Sequence, residues 1–177
     1  AVLIATPHHL HASMACSALK RGIPVLCEKP MSDSVSEAKR MMATSKSSGA
    51  LLSIGFMNHF RPGAIRLKQL IEEGKLRKIL QFSFHVGSYQ TLVNSVSRYQ
   101  ESLEGALLLD YAHQPDLAYW LLGEKPQGVY VRGTQGGKME YSSNPNVLSM
   151  LLDYDSPLLS VITLNYIQMT QHDYCEV

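Results

Sequence analysis

The sequence predicts an α/β fold in two parts. Residues 1–76 read as a parallel sheet with crossover helices, and residues 77–177 as part of an α+β domain with a largely antiparallel sheet. Two observations carry this. Through the first part, short apolar runs alternate with amphipathic stretches of helical composition, the pattern of strands joined by right-handed helical crossovers. Past Arg77 the apolar period falls to two: Leu80, Phe82, Phe84 and Val86 alternate with Gln81, Ser83 and His85, as in a sheet with one covered face.

Each element has its own local reason. Residues 2–5 form an apolar run that stops at Thr6-Pro7. A helix is expected over 11–20, with Lys20 and Arg21 in its last turn and Gly22 as its stop. Residues 25–27 are a second apolar run. Ser34 and Glu37 have the spacing of a capping box, which predicts a helix from there to about Ser47, ended by Gly49. Residues 51–54 are a third run. Pro62 suits the first turn of a helix that runs through Leu67, Leu70 and Ile71 to Gly74. After the alternating strand, one long helix is expected over 105–122, ending at Gly123. Within it, Pro115 removes a backbone bond to Tyr111 and predicts a kink beside His113. Leu107, Leu108, Leu117, Trp120 and Leu121 read most simply as core. Three more strands are expected at 129–131, 147–152 and 158–166, the last two joined by a tight loop at 153–157. Residues 172–177 look like a further strand in progress. The chain enters its first strand directly, without a Met, so the expectation is a piece of a longer protein.

The totals exclude several classes of function. Of 177 residues, 45% are hydrophobic and 18% charged, which suffices for a buried core. A formal net charge of +1 provides no electrostatic reason to expect nucleic acid or an anionic membrane as partner. No apolar run has the length of a membrane span. Cys16, Cys27 and Cys175 lack CxxC spacing and read as reduced thiols of a cytoplasmic protein.

The tripeptide Glu-Lys-Pro occurs twice, at residues 28–30 and 124–126. The first copy follows a strand of the parallel part, and ligands of open parallel sheets bind beyond the carboxyl ends of the strands. Two other strand ends present polar groups at the same edge: residues 6–11 (Thr-Pro-His-His-Leu-His) and 55–61 (Gly-Phe-Met-Asn-His-Phe-Arg). The second copy follows a helix and its glycine stop, where Lys125 is a solvated charge near the carbonyl end. A zinc site from His8, His9 and His11 is the rival reading of the first loop, but no acidic partner lies nearby in sequence, and no metal is expected.

The stretch VLIATPHHLHASMACSALKRGIPVLCEKP resembles the second half of the nucleotide-binding domain of the Gfo/Idh/MocA oxidoreductases, through Thr6-Pro7, His11 and Glu28-Lys29-Pro30. The stretch GALLLDYAHQPDLAYWLLG resembles the family's helix with Asp, His, Asp and Trp in order: Asp110, His113, Asp116 and Trp120. The resemblance covers essentially the whole chain. It implies a Rossmann-type sheet followed by a substrate and oligomerisation domain. It also implies NAD or NADP as cofactor, a sugar, inositol or related polyol as substrate, and a homo-oligomer formed through the C-terminal sheet. The sequence departs from the family in three ways. The glycine-rich phosphate loop of the family has no counterpart here, Asp110 and His113 are three apart where many members have four, and His59 stands where many carry Arg.

The resemblance implies catalytic roles for Lys29, His113 and Asp110, and cofactor contacts from Ala5, Thr6, Pro7, His11, Glu28, Lys29, Pro30 and Asn58. Oxidising a secondary alcohol by hydride transfer leaves a proton to be removed, and a histidine suits that task. Asp110, one helical turn earlier, can orient the imidazole or bond a substrate hydroxyl. Lys29 can stabilise a developing alkoxide and hydrogen-bond the nicotinamide ribose. Lys29 and His113 are expected to face one cleft, with Tyr89 or a neighbour from the substrate loop 87–99. Asp116 is expected to support helix packing or a neighbouring site residue, and Lys29-Pro30 is a candidate cis peptide. Two alternatives use the same fold: an NAD-dependent glycosidase of the same superfamily, needing the same lysine and histidine, and a non-catalytic sugar-binding scaffold.

Overall fold

A computed structural model describes residues 1–96 and 99–177, which divide into two compact units, Ala1–Met57 and Asn58–Val177. The first unit is a three-stranded parallel sheet in the order β1 (Val2–Ile4), β2 (Val25–Cys27), β3 (Leu52–Ile54). Helix α1 (His11–Leu19) connects the first two strands and α2 (Val35–Ser48) the last two. Two crossovers of the same hand along a sheet in sequential order place both helices on one face. Ile4, Val25 and Cys27 are buried on that side with Ala12, Ala15, Cys16, Leu19 and Met41, while Leu3 and Leu26 of the other face are exposed. The alanines and Cys16 let α1 lie close against α2, where Thr44 Oγ1 donates to Cys16 Sγ at 3.5 Å.

The helix ends follow the sequence signals. Ser34 caps α2 by accepting from the Glu37 N–H at 3.3 Å, and Gly49 ends it at φ 70°, where a side chain would be strained. The reciprocal half of the capping box differs. The Glu37 carboxylate turns to Arg40 instead, and the Ser34 N–H donates to Ser32 Oγ at 3.0 Å. One capping bond therefore remains to be lost, and Ser34→Ala is expected to destabilise the unit by about 1 kcal/mol in a denaturant titration.

The second unit is a five-stranded sheet in the order β5 (Gly128–Thr134), β6 (Val147–Asp153), β7 (Leu159–Asn165), β4 (Gln81–Gly87), β8 (His172–Glu176). All neighbours are antiparallel except β4 and β7, which run parallel. Alternate residues of the three inner strands form the core: Phe82, Phe84 and Val86, then Leu148, Met150 and Leu152, then Ile162 and Leu164. Leu80 precedes the strand and is exposed, so the buried alternation starts at Phe82, two residues later than the apolar pattern suggests. Helix α3 (Pro62–Glu72) packs Leu67 and Ile71 on this core, so the compact units part at Met57 rather than at Arg77.

The long helix expected over 105–122 is two helices, α6 (Ala106–Asp110) and α7 (His113–Leu122). Tyr111 leaves the helical region at φ −101°, ψ 31°. Pro115 thus sits in the first turn of α7, where amides have no intrahelical acceptor and a proline costs little. The break replaces the predicted kink. Leu108 is 39% exposed, not core, whereas Leu107, Leu117 and Leu121 are buried. Two short helices precede the break, α4 (Gln90–Val93) and α5 (Tyr99–Ser102). The remaining strands and the loop between β6 and β7 lie where their apolar runs place them.

Candidate functional site

In the first unit the parallel register sets Ile4, Cys27 and Ile54 level, so the segments that follow emerge at one sheet edge. The ladder continues past the strands, with Glu28 N–H donating to Ile4 O and Gly55 N–H to Cys27 O, both at 2.8 Å. Ala5 and Pro7 are exposed there, and Thr6 and Lys29 half-buried. The Lys29-Pro30 peptide is cis, as its strand exit suggested. Glu28 folds back so that its carboxylate accepts from the Lys29 N–H at 3.1 Å. That carboxylate abuts Gly55, where an added Cβ would lie 3.2 Å from Glu28 Oε2. His11 is wholly buried, its Nδ1 2.9 Å from Pro30 O and its Nε2 2.9 Å from Thr6 O. Its ring thus ties the loop after β1 to the loop after β2, and its contribution to this edge is the shape of both loops. The rings of His8 and His9 meet edge to edge, and among the described residues no group of three or more His, Cys, Asp and Glu could hold a metal ion.

In the second unit His113 opens α7, with Nδ1 buried, and Asp110 closes α6. The helix break corrects the expectation that one helical turn relates them. Asp110 is held instead by side chains from distant segments: Oδ1 accepts from Tyr99 Oη, and Oδ2 from Gln100 Nε2 (3.0 Å) and Tyr166 Oη. Burial, followed by the bond to Asp110, pushes the Tyr99 phenol well above its ordinary range. Burial and then the charge of Asp110 do the same to Tyr166. Both hydroxyls therefore stay protonated and act as donors.

Two cavities flank this part of the unit. One, about 340 Å³, is lined by Ser88, Thr91, Asn94, Ser95, Gln100 and Gln171, all uncharged hydrogen-bonding residues. The expected substrate loop 87–99 supplies most of it, with Ser97 and Arg98 outside the described residues. Tyr89, singled out as a cleft residue, is instead buried in the core, its hydroxyl accepting from the Tyr141 N–H at 3.1 Å. The other cavity, about 350 Å³, has apolar walls from Leu67, Phe84, Leu117 and Leu121, with the buried Asn58 and the Arg61–Asp173 ion pair (3.2 Å) lining it too. Beside α7, His59 Nε2 meets Asp116 Oδ2 at 2.7 Å and its ring stacks on Trp120 at 4.6 Å. Burial raises the Asp116 carboxyl above its ordinary range and the His59 contact pulls it back.

Cys175 lines the second cavity, and its thiol is pushed up to about 11, by burial first and then by Asp173. At pH 8 only about a thousandth of it is thiolate, so iodoacetamide should modify it slowly, with a rate rising about tenfold per pH unit toward pH 11. Mass spectrometry of the alkylated chain measures this; a fast, pH-independent rate contradicts it.

Sequence reasoning missed Gln100 and Tyr166, and placed Tyr99 only at the end of the expected substrate loop. Gln100 and Tyr99 sit in irregular sequence, and Tyr166 follows the apolar run of β7 with no local mark of its task. Neither proximity to Asp110 nor burial is legible without the chain path.

Residues 1–56 match the family described as an oxidoreductase family with NAD-binding Rossmann fold, and residues 64–177 match the GFO/IDH/MocA C-terminal domain. The chain is 26% identical over 167 residues to inositol 2-dehydrogenase of Corynebacterium glutamicum (strain R), covering 93% of this chain and 48% of the relative. It is 35% identical over 126 residues to levoglucosan dehydrogenase of Pseudarthrobacter phenanthrenivorans, covering 68% and 32%. A crystal structure of myo-inositol 2-dehydrogenase from Lactobacillus plantarum shares the fold with a TM-score of 0.87 at 19% identity, over 99% of this chain and 53% of that one. The chain spans under half the length of these two curated relatives.

Proposed function

Because the chain belongs to the Gfo/Idh/MocA oxidoreductase family, we propose that the protein containing it transfers a hydride between a nicotinamide cofactor and a hydroxyl-bearing carbon of a sugar, inositol or related polyol. The observation that carries this reading is the sheet edge of the first unit. The carboxyl ends of three parallel strands lie level there, with Lys29 in the middle loop. The residues present fit the nicotinamide end of the cofactor. A carboxylate at Glu28, an ammonium at Lys29 and the Thr6 hydroxyl are the donor and acceptor types that a ribose and a carboxamide require.

When bound, the nicotinamide supplies the hydride acceptor or donor. Lys29 holds a positive charge for the oxygen of the reacting carbon, and His113 takes or returns the hydroxyl proton. Asp110, bound by three donors, is an anchor for the segment that carries His113. The uncharged cavity lined by Gln100 and Thr91 suits a neutral polyhydroxylated molecule, whose hydroxyls both donate and accept. Self-association through the second sheet belongs to the same reading: Tyr130 and Leu159 stand exposed on one face of it, and sedimentation of the intact protein tests it.

The decisive experiment screens the intact protein with inositols and sugars against NAD and NADP, following reduced nicotinamide by absorbance. Turnover with a polyol is the expected result. Release of a free sugar from a glycoside without net cofactor reduction marks the glycosidase alternative, and inertness toward every polyol with retained sugar binding marks the scaffold. Among the described residues no helix is long and apolar enough to cross a membrane.

A further inference from the structure

Resting on the dehydrogenase reading, we propose that Tyr166 is a positioning residue for His113, acting through Asp110 and the helix break between them. Asp110 closes α6 and His113 opens α7, and Tyr111 between them is outside the helical region. A continuous helix would transmit its geometry along its own hydrogen bonds. A broken one has to be held from outside.

Tyr166 provides that hold. It stands one residue beyond β7, a strand paired on both sides, and its main-chain N–H donates to Asn146 O at 2.9 Å. Its side chain is wholly buried. The hydroxyl donates to Asp110 Oδ2, on the residue before the break, and the ring lies 5.6 Å from that of Tyr111, within the break. One rigid side chain rooted in the sheet therefore reaches both the last residue of α6 and the residue that caps it. Burial and the nearby carboxylate keep the phenol protonated, so it remains a donor. Gln100 and Tyr99 come from the short α5 and also grip Asp110. Removal of the Tyr166 hydroxyl consequently leaves the carboxylate with donors, and the fold with its ring.

Tyr166→Phe in the intact protein tests this. Turnover is expected to fall about tenfold while the KM for the polyol changes less than about twofold, since the loss is one of aim rather than of binding. In an Asp110→Asn background the same substitution should add nothing, because the hydroxyl acts through that carboxylate. Tyr154→Phe, which removes a buried hydroxyl from the loop between β6 and β7, serves as the control and leaves turnover unchanged. A second readout needs no activity: in NMR spectra of histidine-labelled protein, Tyr166→Phe should move the His113 ring resonances and Tyr154→Phe should not. Moved resonances in a protein inert toward all polyols uphold the positioning role and remove the dehydrogenase reading. Unmoved His113 resonances overturn the proposal whatever the turnover, as does a loss of turnover that persists in full beside Asp110→Asn.

Discussion

Lys29→Ala in the intact protein is expected to lower polyol turnover by about a hundredfold or more, the scale of removing one preorganised charge at a developing oxyanion. Lys125→Ala, in the second copy of the same tripeptide, is expected to do almost nothing. The contrast comes from surroundings alone. Lys29 is half-buried at the carboxyl end of a parallel strand, in a loop that His11 ties to the loop after β1. Lys125 is exposed two residues after the Gly123 stop, its ammonium 5.8 Å from the Tyr119 ring, and such a contact at an exposed site is worth at most about 1 kcal/mol. Lys29→Arg should also fail, because a planar guanidinium does not replace a compact ammonium in a shaped site. Near-normal turnover of a folded Lys29→Ala protein would show that strand-end context misassigns the first copy. Thermal melts of both alanine variants separate this from a folding defect.

His113→Gln should lower turnover by about two to four powers of ten, the usual contribution of a positioned acid–base group. The substitution keeps a polar side chain at the first position of α7 but removes a group that can take a proton and give it back. The pH dependence provides the sharper test. With His113 as the proposed base, alcohol oxidation by the unsubstituted protein is expected to fall as pH is lowered, because a protonated imidazole accepts no further proton. In His113→Gln that acidic limb should vanish, leaving slow turnover carried upward by hydroxide. A variant that retained the limb would assign the base to another residue, and Lys29 would then be left as the charged group of a different mechanism.

The sequence by itself determined the elements and their kind, because the signals involved act over a few residues. Ser34 caps α2, Gly49 and Gly123 end their helices at positive φ, and the two-residue period of Phe82, Phe84 and Val86 marks a strand with one covered face. The edge that carries Lys29 was legible for the same reason, since three strand ends in a parallel sheet must emerge together once the strands pair in order. Tertiary structure alone decided the contacts that join remote segments: His11 with Thr6 and Pro30, His59 with Asp116, and Tyr166 and Gln100 with Asp110. It also decided the break that separates Asp110 from His113. Pro115 marked a disturbance at Tyr111, but local preferences alone do not separate a kink from a full break, nor register a buried tyrosine just beyond β7 that hydrogen-bonds Asp110 and packs against Tyr111. The fold follows from short-range preference and hydrophobic period, whereas the placement of the proposed base follows from packing, which only the folded chain brings together.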